Sequence, residues 1–185
     1  MRGSICGYYA GTRPERLTSL TLIEGLGPPD FAATEGPTRT AAWIDSWRAA
    51  RANEKVKVMP SLDEAVRRLR RNDDLLSEPL ARRLAEAGTR PHEGGFVWKH
   101  DPLHVTFGPY AYRLETARRY WQNITCPVLC VDGARSRLNL PEPERAARRA
   151  NFKDVRNVVF EDAGHAVQRH QPAQLAAAIL EHYKR

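Results

Sequence analysis

Long apolar runs are absent from this chain of 185 residues, and their absence limits what the protein can be. Since a membrane-spanning helix needs about 18 or more consecutive apolar residues, the sequence predicts no such span. The opening stretch Gly3–Ala10 is too short and too rich in glycine for the apolar part of a signal peptide. A hydrophobic content of 42% and a charged content of 28% predict a soluble globular domain with a core.

Cysteine is also scarce, with residues only at Cys6, Cys126 and Cys130. An odd number of cysteines without the spacing of a disulfide framework is typical of a reducing compartment, so we expect a cytoplasmic protein. Cys126 and Cys130 flank the apolar letters PVL, and we expect both to be small buried residues.

Histidine and carboxylate residues are spaced poorly for a metal site. His100 and His104 in WKHDPLH form an i, i+4 pair, which faces one ion only if the segment is helical. Gly94, Gly95 and Pro102 argue against a helix there. We therefore expect neither a metal ion nor another cofactor.

The net charge of +7 comes mostly from arginine, with its densest run in AVRRLRRND. A basic balance can indicate nucleic-acid binding, but no aromatic residues interleave with this run to stack on bases. The pattern favours the solvated face of a helix, so no nucleic-acid partner is expected.

The predicted elements alternate between helices and strands. A helix over SICGYYAGT is expected to break at Gly11 and to close before Pro14, and the buried strand SLTLIEG ends at Glu24. Several short helices follow, one opened by a capping box at Ser61 and Glu64. The segments CPVLCVDG and VRNVVFED predict two more strands, each followed by a helix. This order predicts an α/β fold with a parallel sheet of about three strands.

His165 is the strongest candidate for chemistry. It lies in FEDAGHAVQRHQP, directly after Gly164 and a few residues beyond the last strand. This position is the carboxyl edge of the sheet, where open α/β folds bind ligands, and histidine is suited to general base catalysis. The alternative is a solvent-exposed loop histidine. His170 is expected to cap the start of the last helix.

Two segments together resemble the α/β-hydrolase fold. CPVLCVDG…NVVFEDAGHAVQRHQPAQLAAAILEHY resembles its C-terminal half, and GYYAGTRPERLTSLTLIEG resembles the helix after the nucleophile elbow and the next strand. The resemblance covers essentially the whole chain and implies a partial α/β-hydrolase fold. It divides the chain into core residues 1–30, a helical cap over 31–123, and a C-terminal core over 124–185 with the histidine loop.

The resemblance also implies where the nucleophile belongs. Aligning AGTRPER with the family pattern places Met1 one position after the serine of G-x-S-x-G. The serine is then expected immediately before this chain, which is either a fragment or the product of a start codon assigned too late. The backbone N–H at Met1 would belong to the oxyanion hole, although here it is a terminal ammonium. Arg2 falls where the family has a second glycine.

The resemblance implies a carboxylate that orients His165. Many relatives place it a few residues after the PVLxxxG strand, but Ser136 and Arg137 stand there in this chain. Glu24 is the first candidate, since haloalkane dehalogenases place the acid at the end of the strand after the elbow. Asp132, which ends the PVLCV strand, is the second.

The expected function is hydrolysis of a small ester-like molecule by Ser-His-acid acyl transfer, with the chain inactive without its nucleophile. One alternative is an aspartate nucleophile, as in haloalkane dehalogenases and epoxide hydrolases. Another is a non-catalytic remnant or binding module. The strand ending at Glu24 would be an exposed sheet edge, so self-association is also expected. Cap aromatics could line the substrate pocket, namely Trp43, Trp47, Trp98, Phe107, Tyr110 and Tyr112.

Overall fold

The computed structural model describes residues 2–30, 36–52, 57–105 and 108–184. The chain divides into two compact units. The first unit combines Met1–Phe31 with Tyr112–Arg185, and the second is Ala32–Ala111. The helix that begins at Leu114, which the resemblance assigns to the 31–123 segment, belongs to the first unit.

The described elements run in this order along the chain: α1 (Arg2–Thr12), β1 (Leu20–Ile23), α2 (Gly36–Ala52), α3 (Leu62–Asn72), α4 (Glu78–Gly88), β2 (Thr89–His92), β3 (Gly95–Trp98), α5 (Leu114–Asn123), β4 (Val128–Gly133), α6 (Glu142–Arg149), β5 (Val155–Phe160), α7 (Val167–His170) and α8 (Pro172–Tyr183). Short 3-10 helices cover Pro14–Arg16 and Pro102–Val105. Within these described elements, no helix is both long and apolar enough to cross a bilayer.

The first unit contains a three-stranded parallel sheet in the order β1-β4-β5, which confirms the predicted α/β fold. Val128 of β4 is the register partner of both Leu20 in β1 and Val155 in β5. Every residue of the central strand β4 is buried. β1 pairs with β4 along one edge, and no strand in the described ranges pairs with its other edge.

Helices cover both faces of this sheet because successive strand side chains point to opposite sides. Leu22 and Cys130 belong to a core cluster with Trp121 of α5. Leu129 belongs to another cluster with Leu175 of α8. The three cysteines are free thiols, with Cys6 exposed and Cys126 and Cys130 buried.

The helix α1 runs through Gly11, where the sequence predicted a break. A Cβ at Gly11 would collide with the backbone carbonyl of Tyr120 in α5. Gly7 is similarly close to the Trp121 ring, since a Cβ there would lie 2.9 Å from its Nε1. The glycines therefore permit close packing of two helices, and this contact outweighs the poor helix propensity of glycine.

The second unit packs α3 and α4 with a two-stranded antiparallel hairpin, β2-β3. Its buried core includes Met59, Val66 and Leu76. The predicted cap at Ser61 is present, since its Oγ accepts a hydrogen bond from Glu64 N at 3.3 Å. In the sequence, the letters GGFVWKHDP predict one short extended segment, which covers β3, whereas the strand β2 was not predicted.

Candidate functional site

The carboxyl ends of the three parallel strands carry the candidate residues. Glu24 follows the last residue of β1, Gly133 is the last residue of β4, and His165 lies five residues after the end of β5. Because parallel strands end at the same edge of a sheet, residues far apart in sequence meet here.

Glu24 has an unusual backbone and a buried carboxylate. Its φ of 50° lies in the left-handed region, and its amide donates a hydrogen bond to Val131 O at 2.8 Å. Its side chain is 4% exposed. Oε1 accepts a hydrogen bond from the Gly133 amide at 2.7 Å, and Oε2 accepts one from Ser136 Oγ at 2.8 Å. These donors compensate the carboxylate for the water that it loses on burial.

His165 Nδ1 lies 3.1 Å from Glu24 Oε2. Since a carboxylate oxygen accepts hydrogen bonds, this contact places the ring proton on Nδ1 and leaves Nε2 as the proton acceptor. The His165 side chain is 57% exposed, in contrast to its partner. The pair therefore combines a buried carboxylate with an exposed imidazole.

The loops that carry these groups are held against each other. The Arg135 amide donates to Ala163 O at 2.9 Å. A Cβ at Gly133 would lie 2.5 Å from the carbonyl oxygens of both Ala163 and Gly164, so only glycine fits there. The Gly164 amide donates to His170 Nδ1 at 3.1 Å. His170 is the last residue of α7, and this hydrogen bond ties it to the loop that carries His165. The sequence predicted that His170 caps α8, but the N-cap residue of α8 is Gln171.

Asp132, the second acid candidate, lies against α6. Its Oδ2 is 3.2 Å from Arg145 Nη1 and 3.5 Å from Arg149 Nη1, and both arginines also pair with Glu142. Burial raises the pKa of Asp132, and the positive charge of Arg145 opposes this effect. Of the two carboxylates, the structure brings Glu24 into hydrogen-bond distance of His165 and gives Asp132 arginine partners.

The remaining candidates fall in different places. Met1 and Phe107 lie outside the described residues. Tyr112 belongs to the first unit, where burial raises its pKa to about 12. Tyr110 is almost fully exposed, and Trp47 carries the guanidinium of a neighbouring arginine 4.9 Å from its ring centroid.

The residues considered for a metal site in the sequence, His100, Asp101 and His104, lie in the second unit. His100 stacks on Trp98 at a centroid distance of 6.2 Å, and the Asp101 carboxylate accepts a hydrogen bond from the Leu103 amide. Within the described ranges, no group of three or more His, Cys, Asp or Glu residues could hold an ion.

Ser136 is the residue that sequence reasoning missed. A serine carries no charge and so cannot itself be the acid, yet the Ser136 hydroxyl contacts the same Glu24 oxygen as His165. The signal was its position, three residues beyond β4, where the family resemblance expects the acid.

No protein-family model and no curated protein sequence matches the chain. Several solved structures do. A thioesterase domain from the curacin biosynthetic pathway matches with a TM-score of 0.79 and 24% identity, over 97% of this chain and 63% of that one. A hypothetical protein from Pseudomonas aeruginosa PAO1 matches with a TM-score of 0.82 and 24% identity, over 99% of this chain and 64% of that one. An esterase of Mycobacterium tuberculosis matches with a TM-score of 0.72 and 18% identity, over 99% and 60%.

The chain thus spans somewhat less than two thirds of the length of these structures. At such identities the likeness establishes the fold, and it agrees with the parallel sheet and with the order of strands and helices. The chain has the α/β-hydrolase fold, in part, as its sequence predicts.

Proposed function

We propose that this chain carries the histidine and the acid of a hydrolase that cleaves a carboxylic ester or a related acyl compound. The observation that supports this proposal is the 3.1 Å contact between His165 Nδ1 and the buried Glu24 Oε2 at the carboxyl edge of the sheet. In this assignment His165 is the general base, and Glu24 orients the imidazole and stabilises its charged form.

The proposed reaction is acyl transfer. His165 Nε2 takes the proton of a serine hydroxyl as the serine oxygen bonds to the acyl carbon, and it then gives that proton to the departing alcohol oxygen. Water next attacks the acyl-enzyme with the same nitrogen as its base, which releases the acid and restores the serine. The serine is not among the 185 residues, and the proposal takes it from the family pattern, which puts it directly before Met1.

The comparisons support this chemical class. The thioesterase domain and the esterase are named for hydrolysis of acyl compounds, and both share this fold. We assign to the second unit the role of the cap that the resemblance predicts, with a small molecule as substrate. The three free thiols support a reducing, cytoplasmic setting for the protein.

An aspartate nucleophile is the second candidate. The observation that favours it is again Glu24, since the resemblance associates an acid at the end of this strand with haloalkane dehalogenases. The two candidates differ at one residue, because the codon before Met1 would encode serine in the first case and aspartate in the second.

The test compares the 185-residue chain with a chain extended by the upstream codons of the same reading frame, using p-nitrophenyl acyl esters. We expect turnover by the extended chain alone. His165→Ala and Glu24→Gln in the extended chain should each lower kcat/KM on the order of 10⁴-fold. His92→Ala, which removes an exposed histidine of the hairpin, is the matched control.

Two results would overturn the proposal. One is turnover by the extended chain that His165→Ala leaves unchanged. The other is turnover by the 185-residue chain that His165→Ala abolishes, since the nucleophile would then lie within this chain.

We also propose that copies of the chain associate through β1. Its backbone donors and acceptors on the side away from β4 meet no strand in the described ranges, and an unpaired edge of this kind is a template for pairing with another chain.

A further inference from the structure

Ser136 lies in a tight turn directly after β4. Its amide donates a hydrogen bond to Gly133 O at 3.0 Å, and Asn139 Nδ2 donates to the same oxygen at 2.7 Å. The first of these bonds closes the turn, and within it the Ser136 hydroxyl lies 2.8 Å from Glu24 Oε2.

The direction of the Ser136 hydrogen bond follows from its other partner. Ser136 Oγ accepts from the Leu138 amide at 3.3 Å, while the carboxylate can only accept. The hydroxyl proton therefore points at Glu24 Oε2, the oxygen that also faces His165 Nδ1.

Two separate donors fix the rotation of the Glu24 carboxylate. A glutamate side chain rotates easily about its last bond, so one hydrogen bond leaves the plane of the carboxylate poorly defined. The Gly133 amide holds Oε1, and the Ser136 hydroxyl holds Oε2. With both in place, Oε2 remains aimed at His165.

We infer that Ser136 is a positioning residue, whose hydroxyl holds the buried Glu24 carboxylate against His165 and thereby keeps the imidazole proton on Nδ1. The inference rests on the proposed function for its catalytic meaning. The loop after β4 then contributes a hydrogen bond to a carboxylate supplied by the strand β1.

The experiment measures the tautomer of His165 in the 185-residue chain by ¹⁵N NMR of the imidazole, at a pH where the ring is neutral. We expect the Nδ1–H form to dominate in the unchanged chain. Ser136→Ala should shift the ratio of the two tautomers at least about threefold toward Nε2–H, since a hydrogen bond to a charged group is lost. Ser136→Thr, which keeps the hydroxyl, should retain the original ratio.

Asn139→Ala tests whether the tautomer ratio depends on the Ser136 hydroxyl itself or on the rigidity of the turn that carries it. It removes the bond to Gly133 O without touching Glu24, so it should leave the tautomer ratio unchanged. Equal shifts in Asn139→Ala and Ser136→Ala would overturn the inference, because general loosening of the loop would then explain both. An amide spectrum of each variant verifies that it is folded.

Glu24→Gln distinguishes the inference from the proposed function. If Glu24→Gln changes the ratio and Ser136→Ala does not, the pairing of Glu24 with His165 stands and the role of Ser136 is wrong. If Glu24→Gln leaves the ratio unchanged, the pairing itself is wrong. In the extended chain, Ser136→Ala should also lower kcat about tenfold with little change in KM.

Discussion

Arg148 is a fully buried arginine, and its replacement by methionine tests how the loop after Glu24 is held. Its Nη1 donates to the carbonyl oxygens of Leu26 and Pro28 at 2.7 and 2.8 Å, and its Nη2 pairs with Glu144 at 2.5 Å. The side chain is 0% exposed, and its guanidinium lies 5.7 Å from the ring centroid of Tyr112.

Arg148→Met is expected to lower the free energy of unfolding by about 3–5 kcal/mol. Methionine has about the length of the arginine side chain but donates no hydrogen bond, so the carbonyl oxygens of Leu26 and Pro28 lose their donor. Each carbonyl that water cannot reach then costs about 1–3 kcal/mol. The Glu144 carboxylate left behind is 37% exposed and can be hydrated by water, so the loss of its ion pair adds little to the loss at the carbonyls. Urea unfolding followed by circular dichroism measures the change, provided that the m-value stays constant.

Arg119→Met is the matched control. Arg119 also pairs with a glutamate four residues earlier, at 2.8 Å, but its side chain is 77% exposed. An exposed pair of this kind contributes about 0.5 kcal/mol or less. If the two variants lost the same stability to within about 1 kcal/mol, burial would not be what makes Arg148 important, and the reasoning would fail.

Three further predictions concern the first unit. Gly133→Ala should lower the melting temperature by several degrees, because the new Cβ would lie 2.5 Å from two carbonyl oxygens. Gly36→Ala is the control, since its Cβ would meet no described atom within 4 Å. Equal losses of melting temperature in the two variants would contradict this prediction. Burial raises the pKa of Asp132 above its ordinary 3.8, so its contribution to stability is complete below that pH and is lost as the pH rises through the raised value. In Asp132→Asn, the free energy of unfolding measured with urea should not show this decrease between about pH 3 and 7. The same pH dependence of that free energy in the variant and the unchanged protein would refute the prediction. Because of the unpaired edge of β1, the 185-residue chain at micromolar concentration should sediment as dimers or larger species, and a sharp monomer boundary would count against self-association.

The parallel sheet could be predicted because its strands are apolar runs separated by helices, and this alternation leaves few arrangements open. The hairpin could not be predicted in the same way. Its first strand, β2, contains Pro91 between Arg90 and His92, and three of its four residues are exposed. Such a strand has no apolar alternation and only Thr89 as a β-branched residue, so its pairing with β3 defines it. The four-residue helix α7 is likewise too short for a periodic signal.

Some residues of the candidate site could likewise be predicted from the sequence, and others could not. Position at the carboxyl edge of the sheet indicated His165 as a candidate, and the resemblance to the α/β-hydrolase fold added Glu24 as a candidate acid. The sequence left Glu24 and Asp132 both open as the acid; in the structure the Glu24 carboxylate lies beside His165, and the Asp132 carboxylate lies against the arginines of α6. The contact of Ser136 with Glu24 spans 112 residues of sequence, and no local pattern reports a hydrogen bond between two loops.

At Glu24 the backbone conformation favours glycine, whereas the contact with His165 requires a carboxylate. A residue with a side chain costs about 1 kcal/mol more than glycine at a φ of 50°, so glycine would relax this turn. It would also remove the carboxylate that faces the imidazole. Under the proposed function, glycine at this position would therefore give a more stable turn and an inactive protein, and the left-handed strain at Glu24 accompanies the placement of an acid beside the imidazole.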